Sequence, residues 1–302
     1  MSGGKNHSAG ESSGIMKSFS SDWFSWNILP RLFALFILIL LPFKSVIALM
    51  PSTPVPGGVA VLPLPPQARE ARYEDRPVWL VSQGDQLLAV VGLALSTKPG
   101  THQLGWRDAE GRMHALDFTV NDKRYPTQKL TVPPKMVDLD PATAERVRGE
   151  QVRIRRALAQ YRPAESPFPW PLALPAIGPT SSPFGLRRVF NGESRNPHSG
   201  LDIAVGEDEP VHVPAAGIVV EIGDFYFNGN SVFVDHGGGL ISMYCHLSRI
   251  GVHVGQTVEP GQILGQVGHT GRATGPHLHW GIALNGNLVD PQLFLAGDRT
   301  EP

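Results

Sequence analysis

Three short segments in the second half of the chain carry histidine and aspartate at spacings that suit metal chemistry. They are residues 197–202 (PHSGLD), 244–248 (YCHLS) and 275–280 (GPHLHW). Taken alone, a histidine with aspartate four residues on is common by chance, and His198 and Asp202 would more often form a surface turn in which the aspartate is hydrogen-bonded to backbone. The chemistry of these segments therefore depends on the fold bringing them together.

His277 and His279 are the strongest of these signals. Residues two apart on a strand share a face, so the two imidazoles would project into the same space. Two adjacent histidines that faced an apolar core would leave ring nitrogens without partners, which favours a cleft or a metal site. The spacing leaves open which of the two binds the metal.

Together, the segments supply the inventory of a catalytic zinc site. Such a site has three protein ligands and keeps a fourth position for water, and two further histidines remain for proton transfer. The chain has no HExxH motif, which argues against a helical zincin site. Cys245 is the only cysteine and adjoins His246. Because neighbours on a strand face opposite sides, we expect Cys245 in the core as a small hydrophobic residue.

The three segments, preceded by residues 182–185 (SPFG), follow one another in the order found in lysostaphin-like (LytM-type) zinc metallopeptidases. The region 166–297 resembles that family throughout. The resemblance implies a compact antiparallel β fold with its site in a groove. It also implies hydrolysis of peptide cross-links in bacterial peptidoglycan, with the stem peptides as substrate.

The same resemblance divides the site residues into two groups. It implies that Zn²⁺ is bound by His198, Asp202 and His279. It also implies that His246 and His277 flank the scissile carbonyl as base, acid or oxyanion stabiliser.

Two other functions compete with this interpretation. A non-catalytic regulator of the same fold would bind peptidoglycan or activate another hydrolase, but all five site positions are filled. Residues 254–265 resemble the strand and turn pattern of biotinyl or lipoyl carrier domains and predict a β-hairpin there. A carrier needs an acceptor lysine, and no lysine follows Lys135, so this alternative fails on chemistry.

Three arginines precede the first histidine motif and are candidates for binding substrate carboxylates, since guanidinium groups match carboxylate geometry. They are Arg187, Arg188 and Arg195.

The composition of the chain indicates which secondary structure positions the histidines and the aspartate. The chain has 302 residues, 41% of them hydrophobic, which is enough for two globular domains. Its 33 glycines and 28 prolines predict short strands joined by turns. The formal net charge is −1 and basic residues form no long run, which argues against a nucleic-acid partner.

The predicted fold class is all-β, with two β domains joined by a helix. Residues 67–135 contain short apolar runs at 78–81, 87–95, 113–120 and 130–132, separated by turn signals. They predict a β-sandwich, and this segment resembles the immunoglobulin-like domain before such peptidases in gram-negative envelope enzymes. Residues 136–165 predict a linker helix that begins at Asp140 and Pro141. Its apolar stripe comprises Ala144, Val147, Ile154, Leu158 and Tyr161.

The N-terminal end predicts export. Residues 1–48 contain an apolar run at 32–43 preceded by Arg31, which is typical of a secretory signal cleaved after Ala48. An uncleaved N-terminal membrane anchor is the alternative, because the apolar character resumes after Lys44. Residues 49–66 are proline-rich and predict an extended lead-in. The protein is therefore expected in the periplasm or cell envelope, where a regulatory envelope protein would be a further partner.

Overall fold

The computed structural model describes residues 50–131, 139–165 and 167–296. The signal or anchor expected at residues 1–48 lies outside the described residues. Within the described ranges the chain is mostly β-sheet, with one α-helix, and none of it forms a helix long and apolar enough to cross a membrane.

The N-terminal domain consists of two small antiparallel sheets. One has the order β1-β5-β4 and the other the order β3-β2-β6-β7. Apolar side chains from both sheets, such as Ala60 on one and Phe118 on the other, meet in a single core. The predicted sandwich is thus a β-rich domain of two layers. The strands are β1 (Val59–Leu64), β2 (Ala68–Tyr73), β3 (Arg76–Pro77), β4 (Trp79–Gln83), β5 (Gln86–Gly92), β6 (Gly100–Asp108) and β7 (Met113–Val120).

Residues 49–66, which we expected to be an extended lead-in, include strand β1. It pairs along its whole length with β5, and Val59 and Ala60 are fully buried. Proline is tolerated here because β1 lies at a sheet edge, with β5 as its single strand partner.

Strand β5 is buried on both faces and ties the two halves of the protein together. Ala89 and Val91 pack in the N-terminal core, while Val90 between them packs in the larger core of the second half. This follows from the two-residue period of a strand. The side chain of Asn285, in the second half, reinforces the contact: its Oδ1 accepts from Gly92 N at 2.6 Å and its Nδ2 donates to Gly92 O at 3.1 Å. Strand β5 therefore joins the core of the N-terminal domain to the larger core of the second half.

Of the run at 130–132, expected within the sandwich, Leu130 ends strand β8 (Thr127–Leu130), which lies outside the two N-terminal sheets, and residue 132 lies outside the described residues. It pairs in parallel with β10 (Arg187–Phe190), which pairs in turn with β11 (Glu193–Ser194). Just before β8, the hydroxyl of Tyr125 donates to Pro56 O at 2.7 Å, so this part of the chain also contacts the N-terminal domain.

Helix α1 (Pro141–Leu158) begins as the sequence predicts. The Asp140 side chain accepts hydrogen bonds from Ala142 N and Thr143 N, both at 3.0 Å, with proline at the first turn. Val147 and Leu158 of the predicted stripe are buried, whereas Tyr161 is 43% exposed. The helix packs on the second domain through Leu158 and through Arg153, which donates to Glu221 at 2.7 Å.

The C-terminal domain is built on one large antiparallel sheet with the order β17-β14-β15-β16-β19-β12-β9. Strand β18 pairs with β13 and β16, and β20 pairs with β19. The hairpin predicted at 254–265 does not form, because β17 pairs with β14 while β18 joins β13 and β16. The strands are β9 (Thr180–Ser182), β12 (Leu201–Ile203), β13 (Pro210–His212), β14 (Gly217–Phe225), β15 (Gly229–Asp235), β16 (Leu240–Ile250), β17 (Thr257–Val258), β18 (Ile263–Val267), β19 (Leu278–Leu284) and β20 (Asn287–Val289).

A turn of three glycines between β15 and β16, residues 237–239, packs against the N-terminal domain. Gly238 has φ +63° and its backbone lies against the indole of Trp79, so a Cβ at this position would overlap the ring. Gly238 N also donates to Arg162 O at 2.7 Å. Trp79 is buried and packs edge-on against Phe168 at 5.0 Å between ring centroids, so the indole has no room to move aside.

We predict that Gly238→Ala lowers the free energy of unfolding of the whole protein. The positive φ costs an L-residue about 1–2 kcal/mol, and the overlap with Trp79 adds about 1–3 kcal/mol. Gly111→Ala is the matched control, since Gly111 has φ +82° but nothing within 4 Å of an added Cβ. Urea unfolding of both variants measures the difference. Equal losses would contradict the role given to the Trp79 contact.

Candidate metal centre

Two of the predicted ligands face each other across paired strands. Asp202 on β12 lies directly opposite His279 on β19 in an antiparallel pair, which puts their side chains on the same face. His198 lies just before β12, where its N–H donates to Leu186 O at 2.9 Å. All three residues are buried.

The three side chains converge on one point. Asp202 Oδ1 lies 2.9 Å from His198 Nε2 and 2.8 Å from His279 Nδ1, and the two ring nitrogens are 3.1 Å apart. Potential ligand atoms of these residues all lie within 4.8 Å of one another. A tetrahedral zinc ion with ligand distances of about 2.0–2.2 Å would separate its ligand atoms by roughly 3.3 Å, close to what is observed. The arrangement fits a small metal cation.

The hydrogen bonding of His198 leaves its metal-facing nitrogen available. His198 Nδ1 lies 2.8 Å from Pro183 O, and because a carbonyl oxygen can only accept, Nδ1 carries the proton. In the neutral ring Nε2 then presents a lone pair to the carboxylate of Asp202. An outer carbonyl that fixes the tautomer of a ligating histidine is typical of metal sites.

The charge distribution also favours a cation. Burial alone would raise the pKa of Asp202, but its interactions with the imidazoles of His198 and His279 outweigh burial and hold the pKa well below its usual value. Burial lowers the pKa of His279, against the opposing effect of Asp202. The centre thus combines an ionised carboxylate with imidazoles in a buried pocket.

His246 reaches the site through a β-bulge. Tyr244 pairs with Val232 and Leu247 with Asn230, so Cys245 and His246 together oppose one residue of β15. His246 has φ +63°, unusual outside glycine, and its Nδ1 donates to Thr270 O at 2.8 Å. Burial lowers its pKa to about 4. The bulge aims this imidazole at the metal centre.

His277 completes the group. Its Nδ1 donates to Gly275 O at 2.9 Å, and its Nε2 lies 3.9 Å from Asp202 Oδ1. The rings of His246 and His277 are 4.7 Å apart between centroids. All five predicted site residues therefore meet in one pocket, with His246 and His277 side by side next to the three buried groups.

Sequence reasoning missed the backbone groups that orient these rings. The carbonyls of Pro183, Thr270 and Gly275 each accept a hydrogen bond from one histidine. Carbonyls carry no side-chain signature, and Thr270 lies 24 residues from His246, so no sequence pattern indicates them.

The remaining candidates lie outside the centre or already have partners. Cys245 is buried in an apolar cluster as expected, and burial raises the pKa of its thiol to about 11. His236 is a buried histidine with both nitrogens bonded, to Ala216 O and to Ser242 Oγ. Arg195 pairs with Glu193 at 2.6 Å, and Arg188 lies 3.5 Å from Ser182 Oγ. A carboxylate-binding role for these arginines stays a prediction.

Gly200, within the first motif, makes room for His279. A Cβ at this position would lie 2.6 Å from both Cε1 and Nε2 of the imidazole. The ring of His279 therefore packs directly on the backbone of residue 200, which explains why glycine stands between His198 and Asp202.

Comparison with known families matches both halves of the chain. The family model described as Peptidase family M23 matches residues 196–291, which include all five site residues. The model described as Peptidase family M23 N-terminal domain matches residues 52–123. The crystal structure of a Pseudomonas aeruginosa protein assigned to peptidase M23 is 44% identical, with a TM-score of 0.67. The match covers 80% of this chain and 95% of that one.

Two relatives with named activities each match a little more than a third of the chain. The peptidoglycan DD-endopeptidase ShyA of Vibrio cholerae is 40% identical over 111 residues, 36% of this chain and 26% of that protein. The DD-carboxypeptidase/endopeptidase Mpg of Neisseria meningitidis is 39% identical over 111 residues, with 37% and 26% covered. The chain thus spans about a quarter of the length of these relatives.

We predict that Gly200→Ala weakens metal binding. The added methyl group displaces the His279 ring, and disturbing the support of a ligand lowers metal affinity on the order of ten-fold or more. Gly275→Ala is the control from the same pocket, because nothing lies within 4 Å of its added Cβ. Competition with a chromogenic chelator for Zn²⁺ measures both. An unchanged affinity in Gly200→Ala would refute the placement of His279 as a ligand.

Proposed function

The chain belongs to peptidase family M23, and on that premise we propose that it is a zinc metalloendopeptidase that hydrolyses peptide cross-links of bacterial peptidoglycan. One observation carries the proposal: His198, Asp202 and His279 converge in a buried pocket beside two further histidines. The Vibrio cholerae relative is named a peptidoglycan DD-endopeptidase, which supports the substrate class.

In this proposal the zinc ligands are His198 Nε2, Asp202 Oδ1 and His279 Nδ1. Their donor set of two imidazoles and one carboxylate is typical of catalytic zinc, which polarises a carbonyl and lowers the pKa of water to about 7. One ionised carboxylate leaves the occupied site with a net positive charge, suited to an electron-rich substrate carbonyl.

His246 and His277 handle protons in this scheme. The Nδ1 of each donates to a backbone carbonyl, so in the neutral ring each Nε2 carries a lone pair. Attack of water on the scissile carbonyl releases a proton, and an Nε2 beside the centre accepts it and delivers it to the leaving amine. The carbonyl bonds fix the rings, so neither histidine needs to reorient between the two transfers.

The same geometry argues against the regulator alternative. A protein that only binds peptidoglycan or activates another hydrolase needs neither a convergent ligand set nor two oriented imidazoles. Here all five side chains are present, and a backbone strained at His246 directs one of them into the pocket.

The substrate also fixes the compartment. Peptidoglycan lies outside the cytoplasmic membrane, so the proposal requires export, and the signal or anchor predicted at residues 1–48 would supply it. The protein would then act in the periplasm or cell envelope, where a regulatory envelope protein could control it.

We predict one zinc ion per chain in the purified protein and its loss in Asp202→Ala. Removing the carboxylate takes away one of three ligands and the charge that attracts the cation. Asp224→Ala, which removes an exposed carboxylate of the same domain, should keep the ion. Elemental analysis after gel filtration measures both. A folded wild-type protein without zinc would refute the proposal.

We predict that His246→Ala and His277→Ala each reduce cleavage of cross-linked peptidoglycan about 10²–10⁴-fold, the usual contribution of general acid–base catalysis. Both variants should retain zinc, because neither residue is a ligand. His253→Ala, which removes an exposed histidine, is the control. The readout is release of soluble fragments, identified by mass spectrometry. Unchanged cleavage in both variants would rule out the assigned roles.

A further inference from the structure

A short segment between the two domains packs on the turn that holds His198. We call residues 124–130 the strap; they lie between the regions matched by the two family models. The strap contains Tyr125 and strand β8. Tyr125 is half-buried, its hydroxyl donates to Pro56 O, and its ring packs edge-on against Phe184 at 6.2 Å between centroids.

The ring of Tyr125 lies directly on the backbone of Gly185. Gly185 has φ +81°, and a Cβ added there would overlap the ring atoms of Tyr125. Position 185 therefore requires glycine for two reasons: the positive φ, and the close approach of the Tyr125 ring. The strap thus covers the turn at residues 183–186.

That turn holds His198 by three hydrogen bonds. Gly185 N donates to His198 O at 2.8 Å, and His198 N donates to Leu186 O at 2.9 Å. The third is the bond from His198 Nδ1 to Pro183 O, which fixes the ring and its tautomer. Any shift of the turn therefore moves both the backbone and the imidazole of His198.

A second route runs from the strap to the same imidazole. Strand β8 pairs in parallel with β10, with Arg188 opposite Gln128. Arg188 Nη2 lies 3.5 Å from Ser182 Oγ, and this oxygen lies 3.4 Å from His198 Nδ1. Tyr125 at one end of the strap and β8 at the other are thus each linked, through neighbouring residues, to His198 Nδ1.

We propose that Tyr125 is a positioning residue for the metal centre, and that the strap makes the N-terminal half of the chain part of the site. The proposal rests on the metal site proposed above. Tyr125 touches neither the metal ligand atoms nor the two proton-transfer histidines. It acts by holding the turn whose carbonyl orients His198.

The test measures the zinc affinity of the full chain by chelator competition, separately from peptidase activity. Tyr125→Ala removes the ring and should lower the affinity on the order of ten-fold, as loss of outer support for a ligand does. Tyr125→Phe loses only the hydroxyl bond to Pro56, keeps the ring on Gly185 and should bind zinc as the wild type does.

Tyr161→Ala is the matched control. Tyr161 also lies where the domains meet, against Gly239 and in a cavity lined by Arg72 and Trp79, away from the turn that holds His198. It should leave the zinc affinity unchanged. Circular dichroism shows whether each variant is folded, and if Tyr125→Ala is not, Tyr125→Leu replaces it, since leucine keeps an apolar group but not the ring face.

Three results would overturn the proposal. The first is wild-type affinity in folded Tyr125→Ala or Tyr125→Leu. The second is an equal loss in Tyr161→Ala, which would mean that any loosening between the domains weakens the site. The third is failure of the wild type to bind zinc, which would also refute the proposed function. The affinity of the wild type alone distinguishes this result from the other two.

Discussion

Three electron-rich atoms lie 2.8–3.1 Å apart in a buried pocket, and the rest of the second domain serves to hold them there. An ionised carboxylate and two imidazole nitrogens do not approach so closely without a proton or a cation between them. Burial strengthens this constraint, because water cannot screen the lone pairs. The pairing of β12 with β19 sets two of the groups opposite each other, and the turn before β12 brings the third.

Backbone carbonyls provide the rigidity that this arrangement needs. Three of the site's histidines donate Nδ1–H to a backbone carbonyl, one in the turn at residues 183–186 and two in the loop between β18 and β19. A backbone carbonyl has no side-chain rotamers, so it orients an imidazole more firmly than a flexible side chain could. Strand β5 packs into the cores of both domains and so fixes the N-terminal domain on the second domain. The strap, in turn, packs on the turn that holds His198.

The sequence was sufficient for the parts that depend on residue type and short spacing. The β class, the start of α1 and the grouping of five site residues follow from turn residues, capping chemistry and ordered motifs. The bulge at His246 could not be foreseen, because positive φ in a histidine has no compositional signal. The pairing of β8 with β10 could not be foreseen either, because the two strands lie about 60 residues apart in the chain and a short strand does not specify its partner.

The central claim is that His198, Asp202 and His279 bind one zinc ion. Crystals of the zinc-loaded protein, measured on both sides of the zinc absorption edge, test it most directly. The account predicts one strong anomalous peak per chain, within bonding distance of His198 Nε2, Asp202 Oδ1 and His279 Nδ1. No peak at these atoms, or an ion held by His246 and His277 in their place, would contradict it.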